Sequence, residues 1–472
     1  MARKNKRVHK IVSAARTSAR ATTGSNDREP GSTLGVGRNL EIQYLSTLNS
    51  NYMPSGSKFE RLPCYLACAA AISMLFSIAV SEILVALALA ALLISGEKLR
   101  FPPILIPITV FFGLTLISLA FSGDPKGGIP DIRKFYLYYF VPLILFSTLR
   151  TLREVRAFLL AATGVMTLSA LWSLVQFGQK VLAARALGRP LYAYYVGSRL
   201  TGFTSHWMIL GGQEMMLGLM AAAWLLFSSD RRWKPLVAAA VSIILISVVV
   251  GETRVIWFGT LCGGGYLIWL WRRWWVLALP LPILAVLLAN PFDLRERAIS
   301  VFHPHGDTDS NGFRYVCLRE GWEIIKQHPW LGLGPERIKA LEVSGEFQNW
   351  IPADIPRPLP SGWYGHLHNL YVQLAAERGI PAALVMIWLL VKIMADFIRG
   401  ARQARDNPDA RAILYGSVAM MAGTLAVGCA EYNLGESGVL TPFLSIVVCG
   451  YVALGQAGSR AGLAEKDAFT RV

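Results

Sequence analysis

From residue 62 to residue 456 the chain is a series of apolar blocks separated by short runs that hold much of the charge. Most blocks are near the ~20 residues that carry an α-helix across the hydrocarbon of a bilayer. A helix is one of the few structures that can do this, because it pairs its own backbone N–H and C=O groups where no water can. A transmembrane β-barrel would alternate apolar and polar residues, so the blocks exclude it. Composition agrees, since 54% hydrophobic against 16% charged residues is far from a soluble domain. The expected fold class is an all-α polytopic membrane protein. It should have about 12 transmembrane helices and one large, mainly helical periplasmic loop.

The blocks run over 62–80, 82–96, 102–121, 134–149, 155–177, 207–228, 234–250, 255–272, 274–290, 380–397, 411–430 and 438–456, the first pair divided only at Ser81-Glu82. Lys98/Arg100, Arg150/Arg153/Arg156, Arg231/Arg232/Lys234, Arg272/Arg273 and Arg399/Arg402/Arg405/Arg411 fall in alternate loops, which the positive-inside rule assigns to the cytoplasm. Both termini are then cytoplasmic. Residues 1–61 hold eleven Lys/Arg against four Asp/Glu and are expected to be a disordered tail, touching anionic lipid or without a role. Spans one to nine occupy 62–290, the large loop 291–379, spans ten to twelve 380–456, and a short tail 457–472. No signal peptide is visible. The net charge of +16 lies mostly in the tail and short loops, so it reads as topology and not as nucleic-acid binding. Six cysteines, five of them in or beside spans, show neither disulfide nor zinc spacing.

The exceptions to the charge rule carry the functional signal. The outer segment 178–206 contains Lys180, Arg185, Arg189 and Arg199 and no acid, and Arg254 follows VVVGET at the outer end of a span. As a set these cations suggest an anionic ligand; singly, each is as well explained by snorkelling to lipid headgroups. In the large loop FRYVCLREGWEIIKQ reads as a helix ended by HPWLGLGPE. Arg314 and Arg319 on it face different ways, so one at most meets a substrate. The GLG is no dinucleotide fingerprint, because no strand precedes it. His303, His305, Asp307 and Asp309 have metal-ligand chemistry, but HGDTDSNG is ordinary turn composition.

The stretch GHLHNLYVQLAAERG at 365–379 opens a helix directly before an apolar span. His368 and Asn369 stand at its start, where backbone N–H groups lack helical partners and favour anions. Asn369 caps the helix or orients its neighbour, and His366 supports His368 or is a plain surface histidine. Gly379-Ile380-Pro381 permits a bend. Gln213 and Glu214, inside a span, are expected to make structural hydrogen bonds.

RLTGFTSH at 199–206, GETRVIWFG at 251–259, the R-x₇-W-x₆-P-x-x-G-x-G pattern from Arg314 to Gly334, and HNLYVQLAAERG at 368–379 together resemble the bacterial O-antigen ligase and polymerase superfamily. His368-Asn369, nine residues and Gly379 are similar to the ligase pattern; Ala382 departs from it, which leaves polymerases and protein O-oligosaccharyltransferases as alternatives. The resemblance implies a glycosyltransferase of the bacterial inner membrane. It moves a glycan from undecaprenyl diphosphate to a hydroxyl of the lipid A–core oligosaccharide on the periplasmic face, with inversion and with neither metal nor cofactor. The partners are then the lipid-linked donor, the lipid A–core acceptor and membrane lipid, with no nucleic acid and no obligate protein partner. Such chemistry needs fixed cations at the leaving diphosphate and a base at the acceptor. Arg199 and Arg254 are the expected clamp, with Arg314 next. His368 is the expected general base or, alternatively, a diphosphate ligand, and His366 and Asn369 assist it. A transporter of a lipid-linked glycan is the alternative of another class, but the chain shows no clear internal repeat.

Overall fold

The computed structural model describes residues 61–306, 309 and 311–469, with side chains described up to residue 457. The expected basic tail, Arg61 excepted, and Asp307 lie outside the described residues. Among those residues every regular element is a helix: α1 (Leu62–Ser73), α2 (Ile78–Ile94), α3 (Leu105–Ala120), α4 (Ile129–Arg133), α5 (Phe135–Thr148), α6 (Leu152–Ala186), α7 (Leu191–Tyr195), α8 (Trp207–Phe227), α9 (Lys234–Val250), α10 (Arg254–Arg272), α11 (Pro280–Ala289), α12 (Leu294–Ile299), α13 (Asn311–Gln327), α14 (Arg337–Ser344), α15 (Leu370–Gln403), α16 (Pro408–Gly428) and α17 (Ser437–Phe469), besides short 3₁₀ turns.

Five of these, α6, α8, α15, α16 and α17 over Ser437–Ala457, are long and apolar enough to cross a bilayer. A sixth span forms if α10 and α11, bent by 50° at their junction, are counted as one. Helices α1, α2, α3 and α9 are apolar but shorter. The protein is a multi-pass, all-helical membrane protein. Where separate spans were expected at 255–272 and 274–290, α10 tightens into a 3₁₀ turn at Arg273–Ala278 and then bends into α11. Helix α6 runs to Ala186, past the expected end at 177, because the alanine-rich KVLAARA offers no breaker. The first hairpin turns at 74–77, where Ser77 caps α2, and not at Ser81. The Ser81 hydroxyl instead donates to the Ala70 carbonyl at 2.7 Å and ties α1 to α2.

Helices α8 and α17 form the centre of the bundle, with 83% and 100% of their apolar windows buried. Gln213 donates to the Gly438 carbonyl at 2.8 Å and Ser247 donates to Glu214, so both polar residues of α8 make internal hydrogen bonds. Helix α10 packs on α16 through small residues. A Cβ at Gly259 would meet Val427 at 2.6 Å, and one at Gly263 would meet the Ala419 carbonyl at 2.5 Å. Close backbone approach of this kind is how helices associate where lipid removes the hydrophobic drive.

Contacts between loops define the two ends of the bundle. At one end Arg156 pairs with Asp230 at 2.8 Å, Arg150 pairs with Glu97, Ser228 donates to Asp409 at 2.8 Å, and Gln456 donates to the Arg150 carbonyl at 2.9 Å. At the other end lie the loops before α8, α10 and α15 and the turn after α16, which meet around α13.

One feature of α15 locks that second end. Gly379 has a non-helical backbone (φ +83°, ψ 162°), followed by Pro381. The carbonyls of Ala376 and Glu377 accept instead from Leu333 N at 2.9 Å and Gly334 N at 2.8 Å, and Ile380 N donates to the Pro329 carbonyl at 2.8 Å. The 329–334 turn therefore docks into the break. Glycine is required there, since a Cβ on Gly379 would stand 2.1 Å from the Trp330 carbonyl.

The α10–α16 contact gives a direct test. Gly263→Leu should lower stability by about 1–3 kcal/mol through overpacking. Gly264→Leu, where a Cβ meets nothing within 4 Å, should leave it nearly unchanged. Thermal unfolding of the two variants in detergent checks this.

Candidate active site

Helix α15 begins at a left-handed residue, His368 (φ +49°), a conformation a β-carbon resists and a surrounding structure must hold. Asn369 holds it. Its Oδ1 accepts from Tyr371 N and Val372 N at 3.0 Å each, and its Nδ2 donates to the Cys429 carbonyl at 2.7 Å. Asn369 thus caps α15 and pins it to the end of α16. The turn after α16 carries Glu431, which is buried and lies against His368: Nδ1 stands 3.3 and 3.4 Å from its two oxygens. The other ring nitrogen, Nε2, is 3.2 Å from the Trp363 carbonyl. His366 lies alongside, its ring centroid 4.0 Å from that of His368.

Helix α13 joins this group to the cations. Arg314 donates to Glu431 at 2.8 Å and to the Ala430 carbonyl. Three residues earlier, on the same face, Asn311 accepts from Arg254, which also donates to Ser300 Oγ at 2.9 Å. Arg199 donates to Thr253 Oγ1 at 3.2 Å and lies over the Trp207 ring at 4.9 Å. A continuous set of contacts therefore runs from Arg199 through Thr253 and Arg254 to Arg314, Glu431 and His368, all at one end of the bundle. Arg319 points elsewhere, to Asp354 at 3.0 Å.

Sequence reasoning did not single out Glu431, Arg297 or Glu252. Arg297 is fully buried, donating to Asp309 Oδ1 at 2.7 Å and to the Glu252 carbonyl at 2.9 Å. Asp309 also accepts from Tyr192 OH at 2.6 Å and from His305 N at 2.9 Å. Its oxygens are committed to the scaffold. Glu252 is buried with a positive φ of 49°, and neither carboxylate oxygen has a hydrogen-bond partner. An acid next to a GETR arginine was the available signal for Glu252, and an acid directly beyond an apolar span was the signal for Glu431.

The electrostatics favour an anion. Burial, then the neighbouring Arg297, pushes Arg199 down to about 9, and among the described residues no carboxylate pairs with it. Arg314 adds positive charge at both Arg199 and Arg254. Burial, then His368, pushes His366 down to about 4, so it is a neutral ring at ordinary pH. Burial alone would raise Glu431, but Arg314 and the His368 contact outweigh it and hold the carboxyl well below the usual range. The ligand atoms of His366, His368 and Glu431 lie within 4.8 Å of one another, close enough for a divalent ion. Arg314 already neutralises the carboxylate, and its charge opposes a second cation there.

The bundle thus gathers arginines and an imidazole at one end, an arrangement that favours an anionic ligand there. Residues 239–387, about a third of the chain, match the family model described as O-antigen ligase, which supports the superfamily reading of the sequence. That family is one of glycosyltransferase-like membrane enzymes. The matched segment contains Arg254, Arg314, His366, His368 and Asn369, while Arg199 and Glu431 lie outside it. No curated protein matches the chain.

Burial pushes Glu252 up to about 8 from 4.5, so its contribution to stability is full below about pH 4.5 and is lost as pH rises through 8. Glu252→Gln removes that dependence. Its melting temperature should rise relative to wild type by a few degrees between pH 5 and pH 9. A constant difference across that range would contradict the assignment.

Proposed function

We propose that the protein is an O-antigen ligase acting on the periplasmic face of the bacterial inner membrane. It transfers a glycan from undecaprenyl diphosphate to a hydroxyl of the lipid A–core oligosaccharide. The observation that carries this reading is the shared position of Arg199, Arg254 and His368 at one end of the bundle, linked through α13. The positive-inside pattern supports a periplasmic site, since the loops bearing these residues alternate with the arginine-rich ones.

The chemistry follows from the groups present. The acceptor oxygen attacks the anomeric carbon opposite the diphosphate, the C–O bond to phosphate breaks, and the configuration inverts. Negative charge grows on the leaving phosphate, where the planar forks of Arg199 and Arg254 are already oriented by neutral partners. The acceptor hydroxyl loses its proton to Nε2 of His368. An imidazole suits that exchange because one ring nitrogen can accept a proton while the other donates. Arg314 is assigned to holding Glu431 beside the base, with the donor phosphates within reach of its charge. The reaction as read needs no metal, because the cations that stabilise the leaving group belong to the chain.

In vitro transfer tests the reading, using purified protein, lipid-linked glycan and lipid A–core in excess chelator. Wild type should form product regardless of chelator, His368→Ala should lose about 10²- to 10⁴-fold, and Arg254→Ala about 10²- to 10³-fold. Full activity in His368→Ala would remove the base assignment. Product longer by repeat units on the lipid carrier, with none on lipid A–core, would make the enzyme a polymerase.

A further inference from the structure

We propose that Glu431 is a positioning residue for His368, forming a carboxylate–imidazole dyad that fixes which ring nitrogen takes the acceptor proton. The proposal rests on the reaction proposed above and adds a residue outside the segment that matches the family.

The His368 ring faces an acceptor on each side, Glu431 at 3.3 Å from Nδ1 and the Trp363 carbonyl at 3.2 Å from Nε2. A neutral imidazole has one N–H and can satisfy one of them. The carboxylate is the stronger acceptor, being ionised, buried and locked by Arg314 at 2.8 Å. The neutral ring therefore places its proton on Nδ1 and presents the Nε2 lone pair. The Trp363 carbonyl stands on the line of that lone pair, so the acceptor hydroxyl takes its place to give up the proton, and the imidazolium then donates to Glu431 and toward the acceptor oxygen. Of the two observed acceptors, Glu431 is the one that stays with the ring through the transfer. In the balanced step the acceptor O–H bond breaks, its proton goes to Nε2, the new glycosidic bond forms, and the bond to the leaving diphosphate breaks.

The surroundings keep Glu431 in this role. Its segment follows α16, which Asn369 pins to α15 through the Cys429 carbonyl, so carboxylate and ring are held by one hydrogen bond's width of backbone. The charged and titratable groups facing the dyad are Arg314 from α13, His366 from the segment before α15, and His206 at the start of α8 with Arg199 beyond it. Arg314 contacts the carboxylate and not the ring, so it orients Glu431 without competing for Nδ1. The 3.3 Å separation is long for a charge-assisted bond and shortens as the ring gains charge.

The test compares wild type with Glu431→Gln and Glu431→Asp as full-length protein in nanodiscs, with undecaprenyl-diphosphate glycan and lipid A–core. Folding is checked by melting temperature. Glu431→Gln should lose about 10²-fold in kcat with donor KM within about twofold. The acid limb of its pH profile should move to lower pH, because the carboxylate no longer favours the protonated ring. Glu431→Asp should recover part of the rate and the wild-type acid limb. A wild-type kcat and acid limb in Glu431→Gln, or a loss confined to KM, overturns the dyad. If Glu431→Gln does not fold, Glu431→Ala is measured in its place, and a drop in kcat at unchanged KM supports the dyad whereas an unchanged kcat overturns it. A wild type that makes no product contradicts the proposed reaction itself, whereas an active wild type indifferent to Glu431 contradicts the dyad alone.

Discussion

The break in α15 at Gly379 is the constraint on which the site depends. A membrane helix that stops hydrogen bonding to itself must find other donors for the carbonyls it frees, because the bilayer supplies none. Here Leu333 and Gly334 supply them, and Ser118 of α3 closes the joint from the other side by donating to the Leu331 carbonyl at 2.7 Å. The turn at the end of α13 is thereby fastened to the middle of α15. With α13 fixed at that end, Arg314 at its beginning is delivered to Glu431, and His368 at the head of α15 meets both. Pro329 and the two glycines of the 329–334 turn thus act through the backbone, at a distance from the chemistry.

A second device ties down an acid beside the cations. Buried Arg297 takes Asp309 as its partner, and its Nε supports the Glu252 carbonyl, the same carbonyl that Arg199 approaches at 3.5 Å. Breaking such a buried pair costs several kcal/mol because the remaining charge is left without compensation. The pair fixes the segment 252–254, on which Arg199 meets Thr253 and Arg254 meets Ser300 and Asn311. Arginine suits this use better than lysine, since its fork can keep one edge for the protein and turn another toward a phosphate.

Much of this was legible from residue pattern alone. Apolar blocks located the helices, the start of α15 at His368-Asn369 and the bend at Gly379 followed from local rules, and Asn369 does cap. Arg314 and Arg319 diverge as helical spacing requires. Partners separated by long stretches of chain were not legible. Glu431 lies 63 residues beyond His368, and Arg297 reaches Glu252 across 45, so no periodicity or spacing links them. Helix lengths were also misjudged at 177 and around 273, where an alanine-rich extension and a bend depend on packing more than on the hydropathy of a window.

The account turns on whether the two guanidinium groups hold a diphosphate on the same side as His368. An experimental structure of the protein in nanodiscs with undecaprenyl diphosphate tests this most directly. The account predicts phosphate oxygens within about 3 Å of both Arg199 and Arg254, with the carrier chain leaving toward the lipid and His368 facing the phosphate-bearing end. Phosphates bound at the opposite end of the bundle, among Arg150, Arg156 and Arg411, or held by neither arginine, would contradict it.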